Sequence, residues 1–106
     1  MLGSQHKYRL IVGTDCTRPP LILLHGSGRD EQDMVPLAAE LSPRSTAIAV
    51  RGAIPWEGGY AFFRRFADRS IDEESILRQA PILAAFMVDV GGQYCLRQRP
   101  ILVGFF

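Results

Sequence analysis

The residues His25, Gly26, Ser27 and Gly28 have the types and the spacing that would suit them to chemistry. They follow a continuously apolar run, Leu21–Leu24, and precede a helical pattern, and ligands of open α/β sheets bind where a strand ends in this way. Glycines let the backbone approach a substrate closely, and N–H groups at a helix start point at a developing negative charge. We therefore expect an oxyanion loop whose donor is the Ser27 amide, with His25 shaping the loop and not acting as a base. A tight turn without chemistry is the alternative.

The last residues of the sequence indicate a second chemical motif. Ile101 to Val103 is a short apolar strand, and Gly104 follows it as in a nucleophile elbow, G-x-S-x-G. Gly104 and Phe105 would fill the first two places of that elbow, and Phe106 stands where the serine belongs. We therefore expect no catalytic residue in this chain and predict that it is truncated at the elbow.

A dinucleotide fingerprint, G-x-G-x-x-G, is a competing interpretation of residues 26–28. It would make the chain an NADP-binding, Rossmann-like domain in which Arg51 meets a 2′-phosphate. However, Glu31 occupies the third glycine position, and Asp30 and Asp33 add negative charge where a pyrophosphate would bind. This pattern favours a neutral ester carbonyl over a nucleotide as the ligand.

A long segment, 52–69, is rich in glycine and aromatic residues and exceeds a simple connection in a compact domain. Its aromatic side chains either form an apolar substrate pocket or bury one another. Arg64 and Arg65 have planar forks that suit a carboxylate or phosphate, but solvated or salt-bridged arginines are commoner, so we assign them no catalytic role. The candidate pocket residues are Trp56, Tyr60, Phe62 and Phe63.

Composition excludes several classes of function. The chain has 106 residues and a formal net charge of +1 without a basic run, so we expect one globular domain and no nucleic-acid partner. No stretch approaches the roughly 20 apolar residues of a membrane span, and none resembles a signal peptide, so we expect a cytoplasmic protein. Cys16 and Cys95 lie far apart in sequence, and we interpret them as reduced, structural thiols. No metal and no cofactor is expected.

Hydrophobic periodicity predicts an α/β fold with a mostly parallel sheet flanked by helices. Residues 1–106 form one partial domain, in which 1–19 is an edge strand with its turn and 20–106 is a β-α-β-α-β core with an aromatic insert at 52–69. The predicted strands are 8–12, 21–24, 46–50 and 101–103, and the predicted helices are 30–41 and 70–92.

Local signals set the ends of the two predicted helices. Asp30 caps the first, in which Pro36 is tolerated because it lies near the start. Ser70 and Glu73 form a capping box for the second. Pro81 is expected to kink or split this helix near Gln79.

The segment from Leu24 to Asp33 resembles the L-H-G-x-G-x-x-E-x-D signature of the phospholipase/carboxylesterase branch of α/β-hydrolases, which includes acyl-protein thioesterases. Further segments resemble that family in the same order, so that the resemblance extends from Leu21 to Phe105. These segments are Arg51-Gly52, Gly58-Gly59 with Phe62-Phe63-Arg64-Arg65, Asp72-Glu73-Glu74 and Ile101 to Phe105.

The resemblance implies a serine hydrolase that cleaves small-molecule carboxylic esters or thioesters with a Ser-His-Asp triad and two backbone donors. In that fold the Ser, Asp and His follow in order from the elbow, so this chain carries the oxyanion loop alone and is expected to be inactive by itself. The sheet lacks its C-terminal strands, which leaves residues 101–103 as an exposed edge that favours self-association. A non-catalytic interaction module of the same fold is the alternative.

Overall fold

Four strands form one sheet in the computed structural model, which describes residues 6–94 and 98–104. In chain order they are β1 (Tyr8–Ile11), β2 (Leu21–Leu24), β3 (Ala47–Val50) and, last, β6 (Ile101–Gly104). The spatial order is β1-β3-β2-β6. β2 pairs in parallel with both of its neighbours, and β1 pairs antiparallel with β3 at the sheet edge. The mostly parallel sheet predicted from the sequence is therefore confirmed.

Helices cover both faces of this sheet, as the alternation of buried side chains in β2 requires. Leu21 and Leu23 pack into a cluster with Met34 and Ala38, on the side of helix α1 (Val35–Leu41). Ile22 and Leu24 point the other way, toward helix α2 (Glu73–Gln93). Strands buried on both faces read as continuous apolar runs, which is why the sequence located β2 and β3 to within one residue.

The first predicted helix is divided in the structure. Asp30 does cap it, through a reciprocal pair of bonds with Asp33, but the turn that follows, Glu31–Met34, is a 3₁₀ helix and α1 begins only at Val35. Pro36 lies in the first turn of α1, where its missing N–H costs no hydrogen bond. A continuous α-helix from Asp30 would have set the Pro36 ring against the carbonyl group four residues earlier, so the single-helix prediction was wrong.

The second predicted helix starts later and runs without a break. Its cap is Asp72, whose side chain accepts from the Ser75 amide, whereas Ser70 donates to Asp68 in a preceding turn. The helix also continues through Pro81 to Gln93. Proline leaves the carbonyl of the residue four positions before it, Leu77, without its helical donor, and Leu77 lies on the exposed face where water replaces that donor.

The aromatic insert contains a hairpin that the sequence interpretation did not predict. Strands β4 (Ile54–Trp56) and β5 (Gly59–Ala61) pair antiparallel and are joined by Glu57 and Gly58, both with positive φ. Two consecutive positive φ values are the signature of a type I′ turn, for which glycine is favoured. The strands are only three residues long, too short for alternation to stand out in the sequence.

Two further observations concern predictions about single residues and membrane spans. Cys16 is exposed and forms no disulfide in the described part of the chain, and Cys95 lies outside the described residues. Of the helices that the structure describes, none has the length and apolar content needed to cross a bilayer.

Candidate active site

His25 directly follows β2, and both nitrogens of its ring are occupied. Nδ1 lies 2.7 Å from the carbonyl oxygen of Gly26, which can only accept, so Nδ1 carries the hydrogen. Nε2 lies 2.9 Å from the amide of Gly52, which can only donate, so Nε2 accepts. The ring is buried and packs against Phe62 at 4.9 Å between centroids. His25 therefore ties the end of β2 to the start of the insert and has no free lone pair with which to act as a base.

The turn after His25 has a fixed backbone. Gly28 has φ near +88°, a left-handed conformation that favours glycine, and its amide donates to the carbonyl of Tyr60 at 2.9 Å. The Arg29 amide donates to the carbonyl of Gly26 at 3.1 Å. The Ser27 amide, between these bonded groups, donates to no acceptor in the described part of the chain. The Ser27 amide is thus an unused backbone donor, and the Gly26 amide likewise has no acceptor among the described residues.

The hairpin β4–β5 holds this turn from the side. Tyr60 and Arg29 form an antiparallel bridge, in which the Tyr60 amide donates to the Arg29 carbonyl at 2.8 Å. Gly59 approaches Gly28 so closely that a Cβ on Gly59 would overlap the Gly28 carbonyl group. A glycine followed by an aromatic residue, in a segment too long for a simple loop, was the sequence signal for this contact.

Glu31 and Arg51 form a two-bond ion pair beside the turn. Arg51 Nε and Nη2 donate to the two carboxylate oxygens of Glu31 at 2.8 and 2.7 Å, and Glu31 is only 6% exposed. These hydrogen bonds lower the pKa of Glu31, although burial acts in the opposite direction, and they raise the pKa of Arg51. The Arg51 guanidinium also lies over the ring of Tyr60, 4.5 Å from its centroid.

This ion pair bears on the dinucleotide alternative. The fork of Arg51 is already occupied by a carboxylate, so the geometry does not favour that alternative, which needs Arg51 for a phosphate. Glu31 stands at the third glycine position of the fingerprint, and its partner lies 20 residues away in the sequence. Glu31 is the first residue of the 3₁₀ helix, and Arg51 directly follows β3. Only the crossover connection brings these two positions together, so the sequence alone did not predict the pair.

The predicted aromatic pocket is divided between two places. Phe62 and Phe63 form part of the wall of a cavity of about 140 Å³. Tyr60 and Trp56 do not line this cavity: the Tyr60 ring lies under the Arg51 guanidinium, and Trp56 lies in β4. The other walls come from His6 and α2. The α2 residues that line the cavity recur at helical spacing. The sequence showed this spacing, but it did not show which surface these residues face. They are Ile76, Gln79, Ala80 and Leu83.

The predicted elbow begins beside the predicted oxyanion loop. The parallel register pairs Leu24 with Gly104, so β2 and β6 end together at the same edge of the sheet. Gly104 is the last residue of β6, and Phe105 and Phe106 lie outside the described residues.

Comparison with known proteins identifies the fold. No protein-family model matches the chain. The carboxylesterase of Bacillus cereus aligns with a TM-score of 0.87 and 32% identity, over 94% of this chain and 48% of its own. The carboxylesterase of Mesorhizobium loti aligns with a TM-score of 0.87 and 34% identity, over 95% of this chain and 49% of its own. This chain has the fold of the N-terminal half of a carboxylesterase-type α/β-hydrolase.

A curated protein agrees with this α/β-hydrolase assignment. "Putative hydrolase MhqD" of Bacillus subtilis (strain 168) is 30% identical over 86 residues, which are 80% of this chain and 43% of MhqD. The α/β-hydrolase chain thus spans about half the length of the relatives it matches. The resemblance stated from the sequence is confirmed.

Proposed function

We propose that this chain supplies the oxyanion loop of a carboxylic ester hydrolase that acts on small ester or thioester substrates. The observation that carries the proposal is the Ser27 amide, which has no acceptor in the described part of the chain although the next two amides are both bonded. A fixed donor of this kind stabilises the negative charge that develops on a carbonyl oxygen, because it needs no reorganisation during the reaction.

The proposal assigns neither nucleophile nor base to this chain. His25 bonds Gly26 and Gly52 through both ring nitrogens, whereas His6 bonds the Arg51 carbonyl through Nδ1 at 2.8 Å and its Nε2 has no partner among the described residues. No described serine hydroxyl bonds either ring. We therefore expect the chain by itself to leave p-nitrophenyl butyrate unhydrolysed and to resist labelling by a fluorophosphonate probe. Turnover together with serine labelling would contradict this part of the proposal.

The cavity beside Phe62 is the proposed place for the apolar part of the substrate. Phe62 packs against His25 and also lines the cavity, so the cavity adjoins the oxyanion loop. Its volume, about 140 Å³, is close to that of cavities that hold a benzene molecule. A short alkyl or phenyl group fits this size.

The oxyanion assignment is tested in a chimera. This chain replaces the corresponding half of the Bacillus cereus carboxylesterase, which aligns with it at a TM-score of 0.87. We expect the chimera to hydrolyse p-nitrophenyl butyrate. Ser27→Pro removes the amide hydrogen and should lower kcat about 100-fold or more. Ser27→Ala keeps the amide and removes only the hydroxyl, so it is the matched control and should retain most of the activity.

Two outcomes would overturn the proposal. One is a folded chimera, verified by circular dichroism, that hydrolyses no ester, which is also the result that the interaction-module alternative predicts. The other is an equal loss of kcat in both variants at Ser27, which would assign the effect to the hydroxyl and not to the amide.

A further inference from the structure

Arg65 is held with its guanidinium beside the oxyanion loop. Its Nη1 donates to the carbonyl of Arg69 at 3.0 Å, and its guanidinium lies over the ring of Phe63, 5.2 Å from the centroid. The third contact reaches the loop itself, since Nε lies 3.5 Å from the hydroxyl oxygen of Ser27. A backbone bridge between Arg65 and Ile71 fixes the segment that carries this side chain. The charge is therefore positioned next to Ser27 and not free in solvent.

No carboxylate neutralises this charge among the described residues. The ion pairs there involve Arg18, Arg51, Arg69 and Arg78, and none involves Arg65.

Three acidic side chains lie near the loop, and all are committed elsewhere. Glu57, close to Gly28, is paired with Arg69, Glu31 is paired with Arg51, and Asp30 accepts the amide of Gln32. An uncompensated positive charge thus remains beside an unused backbone donor.

We propose that Arg65 and the Ser27 amide together bind the carboxylate of a short-chain carboxylic acid. A guanidinium fork matches a carboxylate in shape and charge, and bonds between two ionised partners are about twice as strong as neutral ones. Ester hydrolysis produces such an acid at the oxyanion loop, so Arg65 is a specificity and product-binding residue of the proposed function. The inference rests on that function for its biological sense, but the binding itself needs no nucleophile.

The experiment is a titration of the ¹⁵N-labelled chain with sodium butyrate, followed by NMR at constant ionic strength. Saturable shifts are expected at the Ser27 amide and at the Nε–Hε group of Arg65. Butyramide has the same shape without the charge and should give no saturable shift. Arg65→Gln should weaken butyrate binding about tenfold. Arg64→Gln is the matched control, because Arg64 is an exposed neighbour whose side chain makes no described contact, and it should leave the affinity unchanged.

Several results would overturn the inference. Equal weakening by Arg64→Gln would show a general attraction of the surface for anions. Binding of butyramide as tight as that of butyrate would remove the role of charge. An unshifted Nε–Hε resonance in the unmodified chain would exclude contact without relying on any variant. The chimera separates this inference from the proposed function: hydrolysis without butyrate binding refutes Arg65 alone, and butyrate binding without hydrolysis refutes the proposed function alone.

Discussion

At the scale of single residues, the ion pair of Glu31 with Arg51 joins the start of the 3₁₀ helix to the end of β3. The Glu31 carboxylate is nearly buried and accepts two hydrogen bonds from one guanidinium. A partly buried, two-bond pair of this kind contributes more than an exposed one, because water screens it less. The pair also holds Arg51 over Tyr60, whose backbone is hydrogen-bonded to Gly28 and Arg29 in the turn after His25.

This pair predicts an acid-sensitive component of stability. Because folding lowers the pKa of Glu31 below its ordinary value of 4.5, the stabilisation is fully present above that value and is lost as the pH falls through the lowered pKa. Glu31→Gln should lower the free energy of unfolding at neutral pH by about 2 kcal/mol. The difference between the two proteins should shrink as the pH falls below 4.5, as measured by urea denaturation at several pH values.

The comparison with Glu31→Gln isolates one carboxyl group. Asp15 and Asp68 also have lowered pKa values, from hydrogen bonds with Thr17 and Ser70, and they titrate identically in both proteins. Glu40→Gln changes an exposed carboxyl on α1 and should leave stability almost unchanged. A difference between wild type and Glu31→Gln that stays constant down to acid pH would contradict the assignment.

At the scale of secondary structure elements, the hairpin β4–β5 supports the proposed oxyanion turn. Its backbone makes two hydrogen bonds with Gly28 and Arg29, and Gly59 is in direct contact with the Gly28 carbonyl group. Two groups therefore constrain the turn: His25, through its hydrogen bond to the Gly26 carbonyl, and the hairpin, through its backbone hydrogen bonds. A substitution in the hairpin should therefore displace the Ser27 amide, the proposed donor, although the substituted residue is not in contact with Ser27.

Gly59→Ala tests this support. The added Cβ meets backbone atoms that cannot move aside as a flexible side chain does, so the free energy of unfolding should fall by about 2 kcal/mol. The same substitution in the chimera should lower kcat. Urea denaturation measures the first effect and hydrolysis of p-nitrophenyl butyrate the second.

Gly92→Ala is the matched control for Gly59→Ala. Gly92 lies in α2, is exposed and has no atom within 4 Å of an added Cβ, so alanine should be neutral or stabilising by up to about 1 kcal/mol. If both variants changed stability alike, the close approach of Gly59 to the turn would not explain the effect.

At the scale of the whole molecule, β6 forms an open edge of the sheet. Ile101 and Leu102 are 50% and 55% exposed, and the outer side of β6 has no partner strand among the described residues. An exposed apolar edge presents unpaired backbone groups that template pairing with another chain. Residues 101–104 of this edge strand are apolar or glycine and carry no charged side chain.

We predict that the chain self-associates through this edge. Leu102→Lys places a charge on the edge strand and should shift the protein toward monomer in sedimentation velocity experiments. Val12→Lys is the control, because Val12 is an equally apolar, 75% exposed residue next to β1 at the opposite edge. A monomeric wild-type chain, or an equal effect of both variants, would refute association through β6.

The sequence by itself determined the order of the four sheet strands and the helices along the chain, and it determined that a glycine turn follows His25. Buried parallel strands are continuous apolar runs, and caps and turns depend on neighbouring residues, so Leu21–Leu24 and the glycines after His25 were predictable. The errors lay where local signals competed. Ser70 was chosen as a cap over Asp72, and Pro81 was expected to kink or split α2, whereas the helix continues through it because the carbonyl that it frees can face water.

Only the tertiary structure decided which groups meet. Three contacts join segments that are distant in the sequence: Glu31 with Arg51, Gly59 with Gly28, and Arg65 with Ser27. They form because the crossover connections and the hairpin bring these segments to the same edge of the sheet. Such contacts depend on the register of strands and on the path of a long insert, which no local periodicity encodes. The turn after His25 could therefore be predicted from the sequence, whereas the contacts that support it and the charge beside it could not.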